Sequence, residues 1–196
     1  MSLLAREPPE PMYRLTVKQY HRMIEAGVLT EDDEVELLEG WMVTKMARNP
    51  AHDSAITRLQ RRLEPELGED WYFRIQSAIT TRESEPEPDL AAVLGPEEKY
   101  DTRHPAPYEV GLTIEVADSS LRNDQVVKSR IFARARIPIY WIANLVDKKI
   151  EVYTDPVAGK SPHYRSQEDF GVDDLIPLVI QGKLIARIPV KDLLPA

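Results

Sequence analysis

The stretch LTIEVADSSLRNDQVVK, residues 112–128, sets one carboxylate, Glu115, in the middle of an apolar run and a lysine, Lys128, a helix segment later. An ionised carboxylate inside a sheet is costly unless it meets a cation or a metal, so Glu115 predicts a partner. Upstream, EPEPDLAAV places Asp89 directly after Pro88, where another apolar run begins. If those two runs pair as strands, Asp89 and Glu115 converge at one sheet end and offer hard oxygen ligands suited to Mg²⁺ or Mn²⁺. Lys128 then leans back over the acid, where a cation would stabilise charge developing on a phosphoryl group or orient an attacking water. Two carboxylates, a divalent ion and a lysine make a minimal site for phosphodiester hydrolysis.

Each of these residues also has a plainer role. Asp89 after proline is a common turn device. Lys128 and Asp124 stand four apart, the spacing of an exposed helix ion pair worth about 0.3–0.5 kcal/mol. Glu36, in VELLEG, is either a third acid of the site or a solvent-facing strand residue. His52 reads as a helix-start histidine bonded to backbone, with a metal or base role as the minor alternative. Gln76 suits a polar strand face, or a water beside the ion. Arg58, Arg61 and Arg62 suit a solvated helix face before phosphate contacts. Tyr140 and Trp141 read as core mass before base-stacking platforms.

The elements that must position these groups follow from patterning. Thr16 and Gln19 form a capping box ahead of Val17, Tyr20 and Ile24 at helical spacing, with Gly27 as the stop. Two short strands about Glu39-Gly40 predict a tight hairpin carrying Glu36. A second helix starts after Asn49-Pro50, with Ile56, Leu59 and Leu63 on one face, and ends by Pro65 and Gly68. Strands are expected within 70–81, 87–95 and 108–118, the last two central. A third helix is expected from Asn123 to Arg136, with Val126, Val127, Ile131 and Phe132 turned inward. Strands about Asp147-Lys148 come next, and a small hairpin around Gln181-Gly182 closes a sheet edge. The order predicts an α/β or α+β fold, a mixed sheet with helices on its faces.

The 196 residues suit a single domain over 12–196, with Met1 to Pro11, rich in acid and proline, as a disordered lead-in. No apolar run reaches the roughly 20 residues of a membrane span, and no signal peptide is visible, so a soluble cytoplasmic protein is expected. Zero cysteines remove disulfides, thiolate metal sites and cysteine nucleophiles. Thirty-three acids against 25 basic residues give a net charge of -8, which weighs against a protein that coats itself in nucleic acid without help. Bound divalent cations would invert that charge where a phosphate sits.

Taken in order, VELLEG, NPAHDSAI, RIQSAI, EPEPDLAAV, LTIEVADSSLRNDQVVK and IYWIANL resemble the Uma-type restriction endonucleases of the PD-(D/E)XK nuclease superfamily, over about Tyr13 to Leu194. The resemblance implies a restriction endonuclease-like core with Asp89 and Glu115 as metal ligands and Glu36 as a further site acid. The third motif reads Glu115-Val116-Ala117, with alanine where the superfamily has lysine, and Lys128 on the following helix would fill that role. The expected function is Mg²⁺- or Mn²⁺-dependent endonucleolytic hydrolysis of DNA. A homodimer would be the natural means of cutting both strands, although no interface signature is visible. The competing expectations are a nuclease fold that no longer cleaves and serves as a binding or assembly module, and metal-dependent hydrolysis of a non-nucleic phosphoester.

Overall fold

The computed structural model describes residues 12–46 and 49–195. The expected lead-in, Met1 to Pro11, lies outside the described residues. Helix α1 (Val17–Glu25) opens on the predicted box: Gln19 N–H donates to the Thr16 hydroxyl while the Gln19 side chain accepts from Thr16 N–H. Val17 and Tyr20 pack inward, but Ile24 is exposed. Strands β1 (Val35–Leu38) and β2 (Trp41–Thr44) form the hairpin. Its turn needs positive φ at both Glu39 and Gly40, and a Cβ at Gly40 would lie 2.7 Å from the Cβ of Arg14. Asn49 caps α2 (Pro50–Leu63) by accepting from His52 N–H, and proline occupies the first turn, where its missing donor costs nothing.

Next come β3 (Trp71–Ile75), β4 (Leu90–Leu94) and β5 (Val110–Ala117). The helical segment after β5 has three parts: α3 (Leu121–Asn123), a wide π-helical turn (Asp124–Lys128) and α4 (Ser129–Arg134). Val127, Ile131 and Phe132 turn inward as expected, whereas Val126 faces solvent. The chain ends with β6 (Ile139–Asn144), β7 (Lys149–Val157), β8 (His163–Gly171), β9 (Leu175–Ile180) and β10 (Lys183–Pro189).

One mixed sheet orders β3-β4-β5-β6-β7-β8, with β5 and β6 parallel and its other pairs antiparallel. Side chains alternate between its two faces, as strand geometry requires. Leu90, Ala92, Leu112, Ile114, Val116, Trp141 and Ile150 pack with Ala55, Leu59 and Leu63 of α2. The opposite face carries Ala91, Val93, Ala117, Tyr140, Ile142 and Tyr153, packed with Phe132 of α4. Glu115 belongs to this second face by alternation with Ile114 and Val116.

One expectation about the tail is corrected. The β9–β10 hairpin does not close a sheet edge; Ile176, Leu178, Ile180 and Ile188 bury themselves in the same core as α2. The edge is taken by β8, a strand the sequence does not announce because residues 165–169, RSQED, are all exposed and lack apolar alternation. Among the described residues, no helix is long and apolar enough to cross a membrane.

Candidate active site

Glu115 lies deep in β5, flanked by Ile114 and Val116, whose side chains enter the opposite core; the residue is only 4% exposed. Lys128 reaches it from the end of the wide turn, with Nζ 2.9 Å from Glu115 Oε1 and 3.4 Å from Glu36 Oε1. Glu36 is brought by β1, and its other oxygen accepts from Glu87 N–H at 3.1 Å. The solvent-facing alternative for Glu36 is therefore excluded, as is the exposed Asp124–Lys128 pair: both of those side chains are buried. Asp124 instead accepts from the Ser120 hydroxyl at 2.7 Å, close enough to Lys128 to feel its charge.

Asp89 stands one residue before β4. The ladder pairs Leu90 with Ile114, so Asp89, one residue earlier, falls beside Glu115 at the end of the β4–β5 pair, close enough for each carboxylate to feel the other's charge. Among the described residues the Asp89 carboxylate has three partners: Val116 N–H donates to Oδ2 at 2.8 Å, His52 Nε2 lies 3.2 Å from Oδ2, and Gln76 Nε2 donates to Oδ1 at 3.2 Å. Gln76 is not mid-strand. It follows β3 in a left-handed conformation, φ 46°, and its backbone N–H bonds the Asp89 carbonyl. His52 bonds through its ring as well as its backbone, and the α2 N-terminus that presents it is bolted to the end of β5 by Asn49 Nδ2 on Asp118, 2.8 Å.

Electrostatics divide the two central acids. Burial pushes the Asp89 carboxyl up, but the His52 and Val116 hydrogen bonds and the Lys128 charge outweigh it and leave Asp89 below the ordinary aspartate range. Burial drives Glu115 well above the usual range; Lys128 opposes this, while Asp89, Asp124 and Glu36 add to it. Asp124 is pushed up to about 6, again mainly by burial. For Lys128, burial favours the neutral amine, yet Glu115, Glu36 and Asp124 overcome it and hold the ammonium firmly charged. Four carboxylates thus share one lysine, and negative charge is in excess.

That excess of carboxylate oxygens suits a hard divalent cation. Glu115 Oε1 meets the Lys128 ammonium at 2.9 Å. Asp89 and Glu115 are the pair that could hold such an ion. Among the described residues no three histidine or acidic side chains form a ready cage. Mg²⁺ does not require one, because it commonly keeps several waters and takes one or two protein carboxylates.

Ala117 lies on the Glu115 face, fully buried in the cluster with Phe132 and Tyr140, and the cation that meets Glu115 comes from the helical segment after β5. Tyr140 and Trp141 are core residues, and Arg58 and Arg61 are exposed on α2, as their plainer roles require. The patterning gave no signal for Glu151, a buried acid on β7, because its strand reads as ordinary amphipathic sequence.

With this geometry described, the chain's kinship is informative. The family described as Uma2, putative restriction endonuclease, matches residues 17–188, and the chain belongs to it. A solved structure described as a putative nuclease of DUF820 from Anabaena variabilis ATCC 29413 superposes with a TM-score of 0.62 at 18% identity, covering 87% of this chain and 96% of that one. At that identity the likeness concerns the fold: a mixed central sheet flanked by helices. No curated protein matches the chain.

Proposed function

We propose that the protein is a divalent-metal-dependent endonuclease that hydrolyses phosphodiester bonds in DNA, built as one nuclease unit over residues 12–196. The observation that carries the proposal is the cluster of Glu115, Glu36 and Lys128, with Asp89 near enough to Glu115 and Lys128 to feel their charge, and with negative charge left over. In this reading Asp89 and Glu115 hold Mg²⁺ or Mn²⁺. The bound ion would supply Lewis-acid polarisation of the phosphate and a more acidic water.

The chain's own groups do the rest. His52, Gln76 and Val116 N–H fix the Asp89 carboxylate so that it meets a ligand without reorganising. Glu36 holds Lys128 beside Glu115, from where the ammonium faces the charge that builds on the phosphoryl oxygens as water attacks phosphorus and the sugar oxygen leaves. Two copies acting on opposite strands would cut a duplex, and DNA as substrate fits a cytoplasmic protein.

Purified protein should nick supercoiled plasmid with Mg²⁺ or Mn²⁺, lose the activity in EDTA, and lose it as Glu115→Ala or Asp89→Ala. Cleavage by those variants at the parental rate would remove the assignment. The second reading, a nuclease fold that serves as a binding module, is favoured by one observation: Lys128 is already engaged by two carboxylates. Calorimetry with Mn²⁺ separates the two, because a scaffold without a site gives no heat that depends on Glu115.

A further inference from the structure

Glu151 is completely buried on β7 and has no part in the chemistry above. Its two oxygens accept from Gln125 Nε2 at 3.0 Å each, from Asn144 Nδ2 at 2.8 Å and from the Tyr153 hydroxyl at 2.7 Å. Among the described residues the nearest cation, Lys149, is 3.6 Å away and bonds more closely to Asp169 at 2.7 Å. A buried carboxylate held mainly by neutral donors is an expensive way to knit a sheet, since an apolar residue could fill the same volume without the desolvation cost.

What it reaches is informative. Gln125 is the second residue of the wide turn that ends at Lys128. In that turn Ser129 N–H bonds the Asp124 carbonyl five residues back, and the Tyr140 hydroxyl donates to the same carbonyl at 3.3 Å. Turns of this width are rare inside helices and concentrate at functional positions. Rewinding one into α geometry shifts everything beyond it by one position, about 100° of rotation. The turn is therefore anchored to the sheet at two points: Tyr140 of β6 on its backbone and Glu151 of β7 on its side chain.

We infer that Glu151 is a positioning residue, which through Gln125 holds the wide turn that aims Lys128 at Glu115 and Glu36. The geometric claim stands independently; its effect on turnover rests on the nuclease reading. The test uses full-length protein, an amine-acylating reagent, and mass spectrometry of Lys128 against the exposed Lys99 and Lys183. In the parent, Lys128 is protected by burial and its two ion pairs.

In Glu151→Gln and in Gln125→Leu, Lys128 should label about tenfold faster as its local opening becomes easier, with Lys99 and Lys183 unchanged. The double variant should match either single one, because both break the same link. Gln125 is only half-buried, so Gln125→Leu keeps the test decisive should Glu151→Gln fail to fold. Parental protection of Lys128 in Gln125→Leu would overturn the inference, as would fully additive effects. If the parent cleaves DNA, both variants should lower kcat while leaving KM near the parental value. An inactive parent whose Lys128 is nonetheless unmasked by the substitutions would sink the nuclease reading and support the positioning role.

Discussion

Lys128 is the residue on which the site balances. It is the cation shared by Glu115, Glu36, Asp124 and Asp89, and removing it would strand buried carboxylates, a change that commonly costs about 3–5 kcal/mol. Those acids can partly escape by binding protons. Lys128→Met should therefore be much less stable than the parent at pH 8 and closer to it at pH 5.5, as read from thermal midpoints. An equal loss at both values would contradict the charge cluster.

Asp124 gives a second handle. Its folded value, about 6, is above the ordinary aspartate value of 3.8, so the folded state binds its proton more tightly. The resulting stabilisation is complete below the unfolded value and is lost as pH rises through the folded one. Between about pH 4 and 6 this group makes the protein less stable with rising pH, by on the order of 3 kcal/mol. Asp124→Asn should flatten that segment of the stability profile. Because protons and a divalent ion would compete for Glu115, Mn²⁺ should raise the melting temperature more at pH 8 than at pH 5.5, and not at all in Asp89→Ala.

At the scale of elements, the β1–β2 hairpin is the part whose job is delivery. Its turn is locked by Glu39, which binds Arg130 and Arg134 of the segment carrying Lys128, the contacts to Arg130 Nε and Arg134 each being 2.9 Å. Glu36 and Lys128 are thus clamped from both sides. Gly40→Ala places a methyl against Arg14 at a φ of 84°, and should cost about 1–3 kcal/mol in urea unfolding. Under the proposed function, cleavage should fall further than that stability loss explains, because Glu36 moves with the turn.

The elements with strong local chemistry were legible in the sequence. The Thr16 box, the Asn49-Pro50 helix start and the Glu39-Gly40 turn are decided by a few neighbouring residues. The acid inside β5 announced a partner because its cost is local. Gln76 and β8 were not legible, since one depends on a left-handed residue after a strand and the other on a neighbour that supplies all of its pairing. Helical periodicity overestimated the burial of Ile24 and Val126: it gives a stripe, while packing chooses how wide that stripe is.

At the scale of the whole molecule, the net charge of -8 opposes DNA, and the local excess of acids opposes it most where cleavage would occur. Under the proposed function, DNA binding should therefore need the divalent ion. Anisotropy of a labelled duplex should rise with Ca²⁺ present and stay flat in EDTA, and the Ca²⁺-dependent signal should weaken as salt increases. Equal binding in EDTA would point to a contact surface away from the four acids. The fold itself followed from the order of elements, but the placement of β9–β10 on a sheet face did not, because a two-stranded ribbon with one apolar side fits an edge or a face equally well in the sequence.

The hydrogen bond from Val116 to Asp89 has an evolutionary corollary. It makes this aspartate a fastener at the end of the β4–β5 ladder, whatever else it binds. A lineage that abandoned catalysis would still be selected to keep it, so its presence in a relative says little about activity. Glu115 has no such second employment: without a ligand to hold, it is a buried liability propped up by a lysine. Decay in this family should erase the glutamate and its lysine together, and leave the aspartate standing.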